Sequence, residues 1–527
     1  MMVLVVGCKK DKSLNDWGAQ VPDPNGMLNL SLSAEPSLLN PILSTDAYSS
    51  EVIGKVFNGL IRINEDLKPE PDLATSYNVS EDGTIYTFYL RKDVKWHDGR
   101  NFTAEDVSFT FKTIMNPDTN TVRRSNYYIN KKPISIIIVN DYVLKIISPE
   151  PFAPLLMSLG IEILPEHILN KDDINKSKFN FNPIGTGPYK FVEWKSGQYI
   201  KLVRNENYFG PKPKVKEILY KIIPDTNTNL VSLSKQEIDM AGIPAKDLKR
   251  FEKDENLEIF QYQKLHYSYI GINQVHPILY DIRVRKAISH AINKDSLVRS
   301  VLKGKGKAAW LPTSPELWSY PDNQNNIPKY DYSPEKSRKL LVAAGYEFDH
   351  QKKLYKKNGK ELALTIFVPK GNKVGEKCVQ IIQQFLAQVG IKLDIQVKEW
   401  RSLLKIINAS DNPKKFDMVM LGWSLGIDPD SYSIWHSSQY PNGFNFIGYR
   451  NLAVNKLLIA GRQEVNIPKR KAIYEEIYQK IAFDVPYIFL FYPDTIIGVN
   501  KRVGGLSRPG PAGLMNRIED VFVTKPL

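Results

Sequence analysis

Cysteine is scarce in this chain: its 527 residues contain two, Cys8 and Cys378. A disulfide framework is therefore excluded, and so are cysteine-built zinc sites. Cys378 lies in VGEKCVQIIQQFLAQVG (374–390), where apolar residues at 378, 381, 382, 385, 386 and 389 recur at helical spacing, so it reads as a small core residue. Long apolar runs are missing too. None approaches the roughly 20 residues of a membrane-spanning helix, and no segment of the mature chain is expected to cross a bilayer. The signatures of common chemistries are equally thin. GTG at 185–187 lacks the third glycine of a dinucleotide loop, and Pro188 obstructs the helix that would have to follow. KGKGK at 303–307 lacks the Gly-Lys-Ser/Thr ending of a phosphate loop, and no G-x-S-x-G elbow occurs. Seven histidines are scattered without an H-E-x-x-H pair or cysteine partners, so no metal and no cofactor is expected. His97, in KWHDG (95–99), reads as a hairpin histidine bonding its own turn.

The chain is long enough for two or three lobes, each with its own core. Its 42% hydrophobic, 24% charged and 11% aromatic residues lie in the soluble range. Basic residues outnumber acidic ones by 71 to 57, a formal +14, but they are interleaved with acids, as in KDLKRFEKDENLE (246–258). A nucleic-acid binder concentrates its basic residues in one patch with aromatics between them, so a solvated basic surface is the better reading. The chain opens MMVLVVGCKKDKS, and VVGC resembles a lipoprotein signal at its cleavage point. Cys8 would then carry lipid, whose acyl chains partition into the bilayer at roughly 0.8 kcal/mol per CH₂. Only seven residues precede Cys8 and no basic stretch stands before it, so residues 1–26 read as a truncated signal followed by a polar tether.

Order begins after Gly26. MLNLSLSAEPSLLNP (27–41) gives a strand with apolar residues at Leu28, Leu30 and Leu32, stopped by Glu35 and Pro36. Residues 49–63 carry Val52, Ile53, Val56, Phe57 and Leu60 on one helical face. GTIYTFYL (83–90) alternates as a strand, and the helix 103–115 starts from Thr103 with Asp106 three residues on. From 181 to 225 the pattern is mostly β, and 281–304 is a helix capped by Asp281 and ended by Gly304. Residues 362–424 read strand, helix, strand, helix, strand with short links, which describes a parallel sheet with right-handed crossovers. Ligands on such sheets bind beyond the carboxyl ends of the strands. GWSLGIDPD (422–430) leaves such an end, with Trp423 as a rigid wall and Gly422, Gly426 and Pro429 shaping the backbone around it. Asp428 and Asp430 read as turn carboxylates more than as an acid/base pair.

These segments resemble a known family. SAEPSLLNP (33–41), LATSYNVSEDGTIYTFYLRKDVKWHDG (73–99), PIGTGPYKFVEW (183–194), DIRVRKAISHAINKDSLV (281–298) and the stretch 420–451 are similar to the peptide/nickel class of extracytoplasmic solute-binding proteins that feed ABC importers. The match covers most of 27–490. It implies an α/β, two-lobed, type II periplasmic-binding-protein-like fold with an extra family-specific domain. One lobe would combine about 13–45, 186–268 and 490–527 with an insert at 46–185, and the other would span 269–489. Lobes of this kind close over a ligand by a population shift.

In peptide-binding members the ligand lies extended and pairs its backbone with protein strands. Carried over, the resemblance puts Ser33, Ala34 and Glu35 beside one ligand edge and Gly422, Trp423 and Ser424, with Leu425 following, beside the other. Trp400 matches a pocket tryptophan and Phe109 a cavity-lining aromatic position, although either tryptophan could equally be interlobe core and Glu35 could cap the next turn. Oligopeptide binders carry an aspartate a few residues after Gly-Trp that captures the peptide ammonium group. Here Gly426 stands at about that place, with Asp428 and Asp430 further on, so either one of these reaches the ammonium or the ligand is not held by a free amino terminus. The resulting expectation is a monomeric, lipid-anchored extracytoplasmic receptor that delivers a peptide to ABC permease subunits. It is not expected to be an enzyme or to bind nucleic acid. An oligosaccharide is the alternative ligand within the family. From another class, a wide-cleft hydrolase using Glu35, Asp428 or Asp430 would show turnover.

Overall fold

The computed structural model describes residues 21–525. Cys8 and the proposed signal lie outside them. Met27–Leu32 pairs in parallel with Glu217–Ile222, and Tyr199–Arg204 and Tyr189–Lys195 continue the sheet antiparallel. Leu28, Leu30 and Leu32 are buried, as their alternation predicts. A second four-stranded sheet, antiparallel throughout, contains Ile85–Leu90, with Tyr86, Phe88 and Leu90 inward. Helix Ala104–Met115 is closed by a capping box: Thr103 accepts from the first turn, and Asp106 accepts from the Thr103 N–H.

The helix expected over 49–63 is shorter, running Ala47–Val56 from an Asp46 cap. Val52, Ile53 and Val56 are buried on it, while Phe57 and Leu60 are buried beyond its end. Close backbone approaches explain the early stop. A Cβ on Gly59 would lie 2.3 Å from the Gly160 carbonyl, and one on Gly185 would lie 1.9 Å from the Val56 carbonyl. The Gly187 N–H donates to that same carbonyl at 2.8 Å. The GTG segment is thus a packing surface. His97 belongs to it as well, and does not bond its own turn: its Nδ1 accepts from the Gly185 N–H (3.2 Å) and its Nε2 bonds the Gly187 carbonyl (3.0 Å).

The largest sheet has eight strands. Ala363–Pro369 runs parallel to both Lys392–Lys398 and Met418–Ser424, with helices Lys373–Gln388 and Trp400–Ile407 as crossovers. Pattern alone gave this part. It did not give His266–Ile272, which inserts antiparallel between Met418–Ser424 and Tyr487–Asn500 and makes the sheet mixed. Cys378 is fully buried and free, and burial holds its thiol far above its ordinary pKa.

One core is built from residues between 28 and 220 with Phe260 and 499–523, a small one from 230–257 with Ile496, and two others flank the large sheet from residues between 267 and 492. The molecule therefore has two bodies, and the chain passes between them twice. Leu257–Gln263 and His266–Ile272 make one passage, and Tyr487–Asn500, paired with both, makes the other. Side-by-side extended crossings can bend without breaking either core.

Candidate functional site

All three parallel strands of the large sheet aim their carboxyl ends at the first body. After Pro369, Gly371 adopts φ +86° and a Cβ there would sit 2.4 Å from the Pro224 carbonyl; Thr226 Oγ1 donates to the Gly371 carbonyl at 3.3 Å. After Lys398 come Trp400 and Arg401. The Trp400 ring meets Tyr48 edge-on at 5.9 Å, and the half-buried indole finds no partner for its N–H among the described residues. Arg401 Nη2 donates to the Pro36 carbonyl at 2.8 Å, lies 3.6 Å from Glu35 and stands over the Trp194 ring at 5.7 Å. Glu35 Oε1 also accepts from Trp194 Nε1 (2.9 Å) and the Gly197 N–H (3.1 Å), so its carboxylate is taken up at the seam between the bodies. Nothing in the sequence pattern singled out Arg401 or Trp194, which converge from positions more than 200 residues apart.

Beyond the third strand lies Trp423. Its indole is half-buried, parallel to Tyr269 (centroids 6.4 Å apart, 4° between planes), edge-on to Phe444 (5.3 Å), and its Nε1 donates to the Tyr487 hydroxyl at 3.3 Å. Aromatic neighbours on three sides fix the ring while leaving part of it exposed. Gly422 and Ser424 project from the opposite face of the strand and are exposed. Gly422 is bare because the His266 imidazole occupies the place of its side chain: a Cβ would lie 2.4 Å from Cε1 and 2.6 Å from Nε2. His266 is missing from any reading of the local motif, since it reaches Gly422 only through strand pairing.

The backbone here carries the most distinctive feature. Met418–Ser424 pairs with His266–Ile272 along all seven residues, but with Ala363–Pro369 only at Met418 and Val419. Residues 420–424 thus offer an edge unpaired on one side among the described residues. Leu425 continues the inner side, its N–H donating to the Leu265 carbonyl at 2.7 Å. In the first body, Met27–Leu32 is itself the last strand of its sheet. Its outer side is tied to Asp239, which exchanges bonds with Asn29, and Ser33 and Ala34 extend from its end into the seam. A cavity of about 710 Å³ lies between the bodies there, lined by Ser31, Ser33, Tyr262, Lys305, Lys373 and Asp494. Trp423, Trp400 and Phe109 are outside its wall. Phe109 is half-buried against the core of the first body.

The turn after Trp423 departs from what an ammonium trap needs. Gly426 is exposed, and no neighbouring atom comes closer than 4.0 Å to a Cβ built there. Asp428 is held by both terminal nitrogens of Arg470 at 2.7 Å, and Asp430 by Arg462 at 2.8 to 3.0 Å. Each aspartate also accepts a backbone N–H two residues on, from Asp430 and Tyr432, as turn carboxylates do. A second cavity of about 710 Å³, between Leu156 and Met157 of the first body and Trp318 of the second, is walled by Ile427 and Asp428. Among the described residues no group of three or more histidine, cysteine or acidic side chains is placed to hold a metal ion, and no helix is long and apolar enough to cross a membrane.

Two α/β bodies joined by paired crossings, with the ends of parallel strands facing the gap, define the fold of the type II periplasmic binding proteins. The chain belongs to the bacterial extracellular solute-binding proteins of family 5, whose middle-region model matches residues 68–445, within the peptide/nickel class. It is 35% identical over 519 residues to the oligopeptide-binding protein AppA of Bacillus subtilis, covering 96% of this chain and 94% of that protein. The structure of AppA with a nonapeptide superposes with a TM-score of 0.91 at 34% identity, over 96% of this chain and 100% of that one. NikZ from Campylobacter jejuni, solved with Ni(L-His), gives 0.85 at 31% identity, over 95% and 100%. DppA from Helicobacter pylori with the peptide STSA also gives 0.85, at 28% identity, over 95% and 98%.

Proposed function

We propose that this chain captures an extended peptide between its two bodies and delivers it to the permease subunits of an ABC importer. The observation that carries this reading is the one-sided strand edge at 420–424, beside Trp423. An unpaired edge recognises amide groups, which every peptide repeats, so affinity arises without a sequence requirement. The peptide ligands of AppA and of H. pylori DppA support the same choice. An oligosaccharide has no backbone amides to pair with that edge, and no observation here favours it.

Ser33, Ala34 and Glu35 line one side of the groove in this reading, and Gly422 to Gly426 the other, with Trp400 and Phe109 as aromatic walls. Asp428 and Asp430 stabilise the turn through Arg470 and Arg462 and do not receive the peptide ammonium. In this reading 46–185 is the insert of the first lobe and 269–489 forms the second. The protein acts as a lipid-anchored monomer on the extracytoplasmic face, with Cys8 as the anchor, and has no catalytic role. Each carboxylate that a hydrolase would need is engaged by an arginine or a tryptophan.

Native mass spectrometry of freshly purified protein, followed by titration with defined peptides, tests this. Short peptides should be released intact. N-acetylated and free forms of one peptide should bind within about threefold of each other, because a sheltered charge-assisted bond, roughly twice as strong as a neutral one, is missing from the groove. A released hexose ladder, or cleaved peptide, would overturn the reading.

A further inference from the structure

We infer that Arg462 is a positioning residue that couples the ligand turn to closure of the two bodies, with Asp430 serving to aim it. The inference rests on the receptor reading above. Arg462 ends helix Leu452–Gln463 in the second body, and its side chain is 6% exposed. Nε and Nη2 grip Asp430, which lies on the same turn as Trp423 and Gly426. The other donors leave the body: Nη1 donates to the Ser125 carbonyl at 3.1 Å, and Nη2 reaches Asn126 Oδ1 at 3.4 Å. The guanidinium lies over the Tyr432 ring at 3.8 Å on its own side and over the Phe152 ring at 5.1 Å across the seam. The Arg462 carbonyl accepts from the Ala153 N–H at 2.8 Å, and Gln463 donates to Glu150 at 2.9 Å. The helix end is therefore docked on Ser125 and Asn126 and on segment 150–153 of the insert.

The two halves of this contact differ in what opening does to them. Separation of the bodies breaks the bonds to Ser125, Asn126 and Phe152 and leaves the Asp430 pair intact. Asp430 thus keeps the guanidinium in its clasping pose in the open form, so little side-chain freedom is lost on closing. The coupling runs both ways. A ligand that presses the turn into place sets Asp430, Asp430 sets Arg462, and Arg462 finds the insert. Neither aspartate of DPD needs to touch ligand for the turn to matter.

Two variants separate the clasp from mere stability. Asn126→Ala with Gln463→Ala thins the contact with the insert, leaving the backbone bonds to Ser125 and Ala153 and the Asp430 pair in place, whereas Arg462→Ala also removes the Asp430 pair and leaves a sheltered carboxylate unpaired. Distances between labels at Lys132→Cys and Lys456→Cys in a Cys8→Ser background, both exposed positions with Cys378 buried, read closure by pulsed electron-spin resonance. The insert-side variant should shift the ligand-free distribution toward open and weaken peptide binding about tenfold, since apparent affinity scales with the closed-competent fraction. Its melting temperature should stay within about 2 °C of the parent, because neither side chain belongs to a core. Arg462→Lys should recover part of the closure, and Asp430→Asn should widen the distance distribution. Unchanged ligand-free distances in the insert-side and Asp430→Asn variants would overturn the clasp. Failure of the parent to bind any peptide would instead sink the receptor reading and leave these distances to judge the clasp alone.

Discussion

His97 shows how a residue can be noticed in a sequence and still be misread. It stands next to a turn, but its partners are Gly185 and Gly187, nearly ninety positions on. With Nδ1 accepting and Nε2 donating, only the neutral ring satisfies both neighbours. Burial reinforces this, and the pKa is pushed down to about 4 from its ordinary 6.5. The unfolded chain takes up a proton near 6.5 and the folded one resists until about 4, so this contribution is complete above 6.5 and lost as pH falls between the two. It amounts to about 3 kcal/mol at most. His97→Gln, which titrates nowhere in the range, should flatten the fall in melting temperature between pH 7 and 4.5. His266 and His436, also held near 4 by burial, leave some slope in the variant. Identical slopes for parent and variant would discard the account. Gly422 offers a second test at this scale. Gly422→Ala should cost about 1–3 kcal/mol by pushing on the His266 ring, and His266→Ala in the same chain should recover most of it. Additive losses, measured by thermal unfolding without ligand, would mean the ring does not fill that space.

At the scale of elements, the legible parts are those whose evidence is local. Alternation in 27–32 and 85–90, the capping box at Thr103 and the strand-helix succession from 362 to 424 all stand where periodicity put them. What stayed hidden depends on distant partners. The helix at 47 stops early because Gly185 and Gly187 pack against the Val56 carbonyl at its last turn. His266–Ile272 enters the large sheet because Tyr487–Asn500 lies waiting beside it. The site divides in the same way. Trp423 and its turn follow from a strand end, while Arg401, Trp194 and His266 join it only through tertiary packing. Asp46 links both kinds of information. It caps Ala47–Val56 through the Ser49 N–H (2.8 Å), and its carboxylate also accepts from the Ser49 hydroxyl (2.7 Å) and the Ser37 hydroxyl (2.6 Å). The helix start thereby fastens the Ser33–Ser37 segment at the seam. Asp46→Ala should cost about 2 kcal/mol, and hydrogen exchange should speed up at 33–37 as well as in the first helical turn. Acceleration confined to the helix would show that the segment is held by other contacts.

For the whole molecule, closure can be no stronger than the contacts that exist only when the bodies meet. Arg462 and Arg401 both reach across, but in different surroundings. Arg462 is enclosed and already aimed, whereas the Arg401 side chain is 48% exposed and its nearest carboxylate oxygen, on Glu35, is 3.6 Å away. Solvent screens such a pair, and ion pairs of this kind contribute about 0.2–1 kcal/mol. Its one close bond, to the Pro36 carbonyl, must form after the lobes have swung together, because donor and acceptor belong to different bodies. Removing it should therefore leave encounter with the ligand untouched and shorten residence in the closed state. Arg401→Ala is expected to raise the peptide off-rate about two- to fivefold, in line with that range of energies. The on-rate and the melting temperature of the ligand-free protein should not change. Stopped-flow displacement with a labelled peptide measures both rates. A slower on-rate with an unaltered off-rate would put Arg401 on the path of ligand entry and take it out of the latch.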